Sequence, residues 1–419
     1  MSESFFGSRA GTEVSAPGPT ISFGFNLGKI PDHGEDSDPI LRDGPDLGLL
    51  AVFDGMGGAG GTVYDTDDGQ RSGAYLASRI ARDVVEQRMM QLLVPDWNLN
   101  GEAAADDLRR SVQEALQERL TELKAPKSGL RSRLLRALPT TMAVIALQRA
   151  HRSGSRWLAH VFWAGDSRAY VFEPDGARQL MSDDLRDPGD ALANLRRDSV
   201  VSNAMSADTD FHVNYRRVKL EAPFVLVCAT DGCFGYLPTP MHFEQLVLAP
   251  LTTTHTVTGW SATIQQEISA VTGDDAAMAV MAVGADLDEL RTLYAPRVAQ
   301  LHEQFTTPID ALARDIQHAE DQLALLRQRQ LDQTQQLWDS YQPGYEQYLH
   351  PNLEPDADPS TQPEDADLRH GDQSAADHAD DSAPEPDRHA ASGPEETTSE
   401  GIGYGETTDG ESTQDEVTS

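Results

Sequence analysis

The chain has 419 residues, with 68 Asp and Glu against 33 Lys and Arg and a formal net charge of −35. Such acidity argues against sequence-independent nucleic-acid binding, which needs a basic surface. Two cysteines, Cys228 and Cys233, are too few for a disulfide framework or a cysteine-based zinc site. No window approaches about 18 uninterrupted apolar residues, and the opening Met-Ser-Glu-Ser-Phe-Phe-Gly has neither a basic nor a long apolar region. A cytoplasmic protein with no membrane or nucleic-acid partner is expected.

The first clear element is the apolar run 48–53, which stops abruptly at Asp54-Gly55 and predicts a buried strand opening into a turn. Residues 70–94 predict a helix, with Tyr75, Leu76, Ile80, Val84 and Val85 at three- and four-residue spacing, and 102–124 repeat the pattern. Strand-like runs follow at 139–148, 157–163, 168–173, 213–220 and 224–229. Helical stretches near 241–249 and 260–271 then lead to a last strand at 276–284.

Strands and helices therefore mix without regular alternation. Runs 159–163 and 168–172 are separated only by Ala-Gly-Asp-Ser, which is hairpin spacing. An α+β fold with antiparallel sheets covered by helices is expected, rather than a doubly wound parallel sheet. Residues 286–342 read as helical through Leu287, Leu290, Leu293, Leu312, Ile316, Leu323, Leu326 and Leu337, with Pro296 and Pro308 expected to break the stretch. An antiparallel helical pair or a coiled coil would fit. Residues 351–419 hold 20 Asp and Glu against two Arg, with one Tyr and no Phe or Trp. Low apolar content and high charge cannot repay ordering entropy, so a disordered tail is expected there. The chain divides as 1–285, 286–350 and 351–419.

Five acidic motifs stand out: Glu35-Asp36, Asp54-Gly55-Met56-Gly57-Gly58, Gly165-Asp166-Ser167-Arg168, Thr230-Asp231-Gly232 and Gly273-Asp274-Asp275. One carboxylate at a strand end is usually a turn former. Five that converge would repel one another, and hard oxygen ligands of this kind are best compensated by Mg²⁺ or Mn²⁺. Two such ions about 4 Å apart can activate a water for in-line attack on phosphorus. The glycines of 55–61 do not make a phosphate loop, because no Gly-Lys-Ser/Thr follows and Asp54 puts a negative charge where the phosphate would lie. His255, His302 and His318 read as surface residues on polar helical faces, and Trp163 reads as core.

Ala-Val-Phe-Asp-Gly-Met-Gly-Gly, Gly-Asp-Ser-Arg-Ala-Tyr, Ala-Thr-Asp-Gly and Gly-Asp-Asp-Ala, taken in this order with Pro139-Thr140-Thr141-Met142, resemble the ordered motifs of the metal-dependent protein phosphatases (PPM family, type 2C, bacterial-like) over residues 20–285. The resemblance implies a four-layer α-β-β-α sandwich, with 1–285 as the catalytic domain, and hydrolysis of phosphoserine and phosphothreonine in proteins opposite a serine/threonine kinase. It implies two core Mn²⁺ or Mg²⁺ ions. Asp54, Asp231 and Asp274 would surround one; Glu35, Asp54 and the Gly55 carbonyl would hold the other, with Asp54 bridging. Asp36 would stand behind these ligands, and Asp166 would help to hold a third, weaker ion. Arg168 reads as a structural arginine. Pro31 stands where many members have a phosphate-gripping arginine, for which Lys29 or Arg42 could substitute, and Met56 stands where many eukaryotic members have a histidine. The segment 59–69, with Asp65, Asp67 and Asp68, looks enlarged. A rival expectation is a catalytically weak, phosphatase-like binding module that works through its helical segment and acidic tail.

Overall fold

A computed structural model describes residues 19–30, 33–67, 69–93, 99–123, 136–150, 155–197 and 199–349. The acidic stretch 351–419, Pro31 and Asp68 lie outside the described residues. In chain order the elements are β1 (Pro19–Leu27), β2 (Ile40–Asp43), β3 (Leu47–Val52), α1 (Gly57–Gly60), β4 (Val63–Thr66), β5 (Gly69–Ser72), α2 (Gly73–Leu92), α3 (Gly101–Glu122), β6 (Met142–Arg149) and β7 (Arg156–Ala164). They continue as β8 (Arg168–Glu173), β9 (Gly176–Gln179), α4 (Ala191–Arg196), β10 (Asn214–Glu221), β11 (Phe224–Ala229), α5 (Pro240–Thr253), α6 (Val257–Val271), β12 (Ala276–Val283), α7 (Leu287–Gln300) and α8 (Thr307–Tyr345).

Two antiparallel five-stranded sheets, ordered β1-β12-β11-β8-β9 and β10-β7-β6-β3-β2, face one another, and β4 and β5 form a small hairpin. The reason is legible in β12, where every residue is buried. Ala276, Met278, Val280 and Ala282 point to the core shared with α5, α6 and α7. Ala277, Ala279, Met281 and Val283 point to the core between the sheets. Strand β6 divides in the same way, with Met142, Val144 and Ala146 toward α2 and α3 and Ala143, Ile145 and Leu147 toward the other sheet. Side chains alternate across a strand, so a sheet covered on both faces needs unbroken apolar runs. The α+β class and the two-sheet sandwich flanked by helices are thus as expected.

Small residues let α2 approach its sheet: Ala74, Ala77, Ala81, Val85 and Met89 form its buried stripe, and the Ser72 side chain caps its start by accepting from the Tyr75 N–H. The helix begins at Gly73 rather than at 70, because 69–72 pair with β4. Helix α7 is fastened to the body by Tyr294, whose hydroxyl donates to the Phe172 carbonyl at 2.7 Å, and by Arg297, which donates to both oxygens of Glu244 at 2.7 and 2.8 Å.

Two sequence expectations are corrected. Strands β7 and β8 are not a hairpin, because β7 belongs to one sheet and β8 to the other. The Ala-Gly-Asp-Ser connection crosses between the sheets, and Gly165, at φ +105°, makes the corner. Second, Pro296 lies inside α7 without ending it, and helix continues into helix through a π-helical turn over Leu301–Thr306. That turn lies just before Pro308, whose missing N–H cannot bond one turn back. The 286–342 stretch therefore does not fold back as a helical pair, and α8 has no buried residue. The chain falls into two units, one ending at Gln335 and one starting at Gln336. In the second, Trp338, Tyr341 and Tyr345 cluster with ring centroids 5.6 to 6.4 Å apart. Among the described residues no helix is long and apolar enough to cross a membrane.

Candidate active site

Strand register brings all five acidic motifs to one end of the sandwich. Leu27 pairs with Ala276, Ala229 with Met278 and Arg168, Val52 with Ala143, Met142 with Ala164, and Ile40 with Ala51. The loops holding Glu35, Asp54, Asp166, Asp231 and Asp274 all leave or enter the sheets at those pairs.

Each loop is held by its backbone. The Asp54 carbonyl accepts from the Thr140 hydroxyl at 2.6 Å and from the Thr141 N–H at 2.9 Å, so the paired threonines clamp the turn after β3. A Cβ on Gly55 would stand 2.6 Å from the Glu35 carbonyl and 2.7 Å from that of Ala74, so only glycine fits between the Glu35 loop and the first turn of α2. Ser78 donates to the Glu35 carbonyl at 2.5 Å, and Arg79 donates to the carbonyls of Glu35 and Gly34 at 3.3 and 3.1 Å. The Ser72 hydroxyl donates to the Glu35 carboxylate. Asp275 accepts the N–H groups of Lys29 at 2.7 Å and Glu35 at 2.6 Å, which ties the loop before β12 to the loop after β1. Asp274, its neighbour, is exposed and accepts the Asp275 N–H at 2.8 Å. Asp36 is buried and accepts from the Thr230 hydroxyl at 2.8 Å.

Asp166 sits on the inter-sheet corner, and its Oδ1 is buried without a hydrogen-bond partner. The corner is held by two acids that sequence reasoning did not single out. Asp184 accepts from the Gly165 N–H at 3.1 Å, from Asn203 at 2.6 Å and from Asn214 at 2.9 Å. Asp183 makes a buried, two-pronged pair with Arg168 at 3.0 and 2.7 Å. Arg168 is thus structural, as expected, but at a sheet crossing. The signal that could have found these acids is the adjacent pair Asp183-Asp184 just beyond β9.

Burial, and then Asp231, Asp36, Asp166 and Asp274, push the Asp54 carboxyl well above the usual carboxylate range. Asp231 is raised in the same way by burial, Asp166, Asp36 and Asp274. Burial raises Asp36 to about 7, and burial with Asp183 raises Asp166 to about 6. Glu35 is raised by burial, with Asp275 and Asp274 adding to it. Even so, among the described residues no three His, Cys, Asp or Glu groups converge tightly enough to hold one ion. Asp166, Asp231 and Asp274 line a common cavity, and Glu35, Asp36 and Asp54 are not part of its lining.

These shifts have a sign. Between about pH 4 and 7 the folded chain holds protons that the unfolded chain, with ordinary carboxyls near 3.9, has released, so stability falls as pH rises. Metal-free protein is expected to melt several degrees lower at pH 8 than at pH 5.5, a loss on the order of 2 kcal/mol or more. Asp107, lowered by Arg88 and Arg110 against the opposing effect of burial, acts in the opposite sense but below that window. Scanning calorimetry in chelator checks this; a melting point that climbed across the window would show that the cluster titrates normally.

Of the proposed phosphate-binding substitutes, Arg42 is engaged with Glu86 on α2 and with the Leu41 carbonyl. Lys29 is exposed at the rim, where its N–H meets Asp275. Trp163 is 6% exposed and packs in the core between the sheets. His255, His302 and His318 are exposed, His255 in the loop between α5 and α6 rather than on a helix.

A family model described as protein phosphatase 2C matches residues 37–271, more than half of the chain. Among solved structures, the chain is similar to the catalytic domain of a serine/threonine protein phosphatase in complex with two manganese ions, at 17% identity, covering 63% of this chain and 98% of that one, with a TM-score of 0.43. It is similar to a Staphylococcus aureus serine/threonine phosphatase at 17% identity, covering 64% and 97%, with a TM-score of 0.45. A Mycobacterium tuberculosis serine/threonine phosphatase aligns at 18% identity, covering 63% and 99%, with a TM-score of 0.42. No curated protein matches the chain.

Proposed function

Because the chain belongs to the protein phosphatase 2C family, we propose that it is a metal-dependent phosphatase that hydrolyses phosphoserine and phosphothreonine in proteins. The observation that carries this reading is the set of carboxylates gathered at one end of the sandwich, where burial and acidic neighbours push the Asp54 and Asp231 carboxyls well above the usual carboxylate range. An all-oxygen, mutually repelling set of this kind fits hard divalent cations such as Mn²⁺ or Mg²⁺. The orphaned Asp166 Oδ1 fits the same chemistry.

The described residues hold no ready-made three-ligand cluster, so in this proposal Asp54, Asp231 and Asp274 would draw together around one ion, and Glu35, Asp54 and the Gly55 carbonyl around a second. Asp166 contributes to a third, weaker ion. When bound, such cations lower the pKa of a coordinated water and screen charge on the phosphoryl oxygens. The protein's own part is positional. Thr140 and Thr141 fix the Asp54 turn, Ser72 and Arg79 fix Glu35 and its loop, and Asp275 locks the loop that presents Asp274. Asp36, hydrogen-bonded to Thr230, steadies Asp54 from behind. On this reading the enzyme works in the cytoplasm on phosphoproteins, opposite a serine/threonine kinase.

The test is turnover of p-nitrophenyl phosphate and a phosphothreonine peptide by the full chain with Mn²⁺, Mg²⁺ or EDTA, beside calorimetric metal counting. Turnover should require the metal and vanish in EDTA, with two tight Mn²⁺ sites and a weaker third that disappears in Asp166→Ala. Equal rates with and without metal would sink the mechanism. A second reading, a catalytically weak binding module, is favoured by α8, whose Leu312, Ile316, Leu326 and Leu337 are all about 60% exposed. No turnover with any divalent ion would favour it.

A further inference from the structure

If the cleft does bind a phosphomonoester, one component of the site is still to be found. The dianion must approach Asp166, Asp231 and Asp274, and a protein cation is needed to offset that repulsion and orient the phosphoryl group. Arginines on or beside the elements that carry the motifs are engaged elsewhere. Arg42 pairs with Glu86, Arg79 donates to the carbonyls of Gly34, Glu35 and Tyr75, and Arg168 is held by Asp183.

A cavity of about 480 Å³ lies against the carboxylates, and Asp166, Asp231 and Asp274 share its lining with Arg196 and Arg197. Both arginines are exposed, and neither guanidinium makes a hydrogen bond or ion pair among the described residues; the Arg197 carbonyl is engaged, accepting the Ser199 N–H at 3.0 Å. Their position is built rather than incidental. They end α4, whose N-cap Asp190 accepts the Ala193 N–H at 2.8 Å. Asn194 donates to Asp183 at 3.2 Å and accepts the Gly189 N–H at 2.7 Å, and Leu195 packs against the core under α5 and α6. Asp183 and Asp184 thereby tie the segment between β9 and β10 to both sides of the Asp166 corner, through Arg168 and through the Gly165 N–H. The same two acids that fix the Asp166 corner thus fix the segment that carries two guanidinium groups with no partner among the described residues.

We propose that Arg196 and Arg197 bind the phosphoryl group of the substrate, taking the role for which residues 29–42 offer no free arginine. The inference rests on the phosphatase reading. A guanidinium presents paired donors that match phosphate oxygens and keeps its charge at any working pH.

The experiment uses the full chain with Mn²⁺ and the variants Arg196→Ala, Arg197→Ala, the double alanine, the double lysine and Lys29→Ala. For the double alanine, KM for both p-nitrophenyl phosphate and a phosphothreonine peptide should rise about tenfold or more, the factor that 1.4 kcal/mol gives. The inhibition constant of inorganic phosphate should rise in parallel. Turnover number should change less than about threefold, and Mn²⁺ affinity and melting temperature should not change. The double lysine should recover part of the loss, because charge is kept and the fork is not. A rise confined to the peptide would mean that the arginines read flanking residues, which overturns the proposal. So would a rise in Lys29→Ala with none in the arginine variants. Should the parent chain show no turnover, calorimetric titration with inorganic phosphate still decides: binding that weakens in the double alanine supports the arginines, and binding that does not weaken rejects them.

Discussion

Asp54→Asn is expected to fold and, if Asp54 serves two ions as proposed, to lose at least one bound Mn²⁺ and phosphatase turnover by about a thousandfold or more, since a shared carboxylate offsets the repulsion between two neighbouring cations. The amide keeps the size of the side chain. The bonds that hold the turn run from the Asp54 carbonyl to Thr140 and Thr141 and do not involve its side chain, so circular dichroism should be unchanged. A second consequence follows from electrostatics. Burial and four acidic neighbours already raise the Asp54 carboxyl, so deleting its charge relieves repulsion in the metal-free protein. Without metal, the variant should therefore melt above the parent at pH 8 and converge with it near pH 5, while added Mn²⁺ should stabilise the parent more than the variant. Full metal content together with normal turnover would show that Asp54 is not at the centre of the chemistry.

Much of this was legible in the sequence because both kinds of signal are local. Strands such as Ala276–Val283 and Phe224–Ala229 are buried on both faces, so each appears as an unbroken apolar run. The acids that follow or precede them sit at fixed offsets from the strand ends. What escaped depends on partners far away in the chain. Four residues between two strands look the same whether the chain turns back in one sheet or crosses to another, and only pairing of β7 with β6 and β10, and of β8 with β11, decides it. Asp274 and Asp275 are the same residue type, yet Asp275 is committed to the N–H groups of Lys29 and Glu35, some 240 positions away. Arg79 donates mostly to backbone carbonyls, which leave no mark in the sequence. Pro296 was a poor guide because α7 is held by Leu290, Tyr294 and Arg297, contacts strong enough to carry a helix past one missing hydrogen bond.

The largest stability effect is expected at Arg168. Its guanidinium is 4% exposed and its partner Asp183 is 1% exposed. Asp183 also accepts from Gln179 at 3.0 Å and from Asn194 at 3.2 Å. The guanidinium lies 4.3 Å from the Phe234 ring centroid. Arg168→Ala removes the cation and leaves Asp183 beside Asp166, whose carboxyl it already raises. Breaking a buried pair from one side typically costs about 3–5 kcal/mol, which for a domain of this size is a drop of roughly 10 °C in melting temperature. The Asp166 corner and α4 share this anchor, so on the proposed reading the variant should also weaken the third, weaker ion's site and raise KM for phosphorylated substrates. Asp183→Asn should also be destabilising, because it leaves the Arg168 guanidinium buried without its counter-charge and turns an N–H group toward donors. A paired Arg168→Met, Asp183→Leu replacement should recover much of the stability, since apolar residues of similar volume need no compensation. It should not recover KM, because with Asp183 replaced Asn194 lacks the acid that positions α4. Thermal melts and phosphate-ester kinetics on these three variants measure both effects. A loss below about 1 kcal/mol in Arg168→Ala would mean that the pair is hydrated in solution and that the corner is held by Asp184 alone.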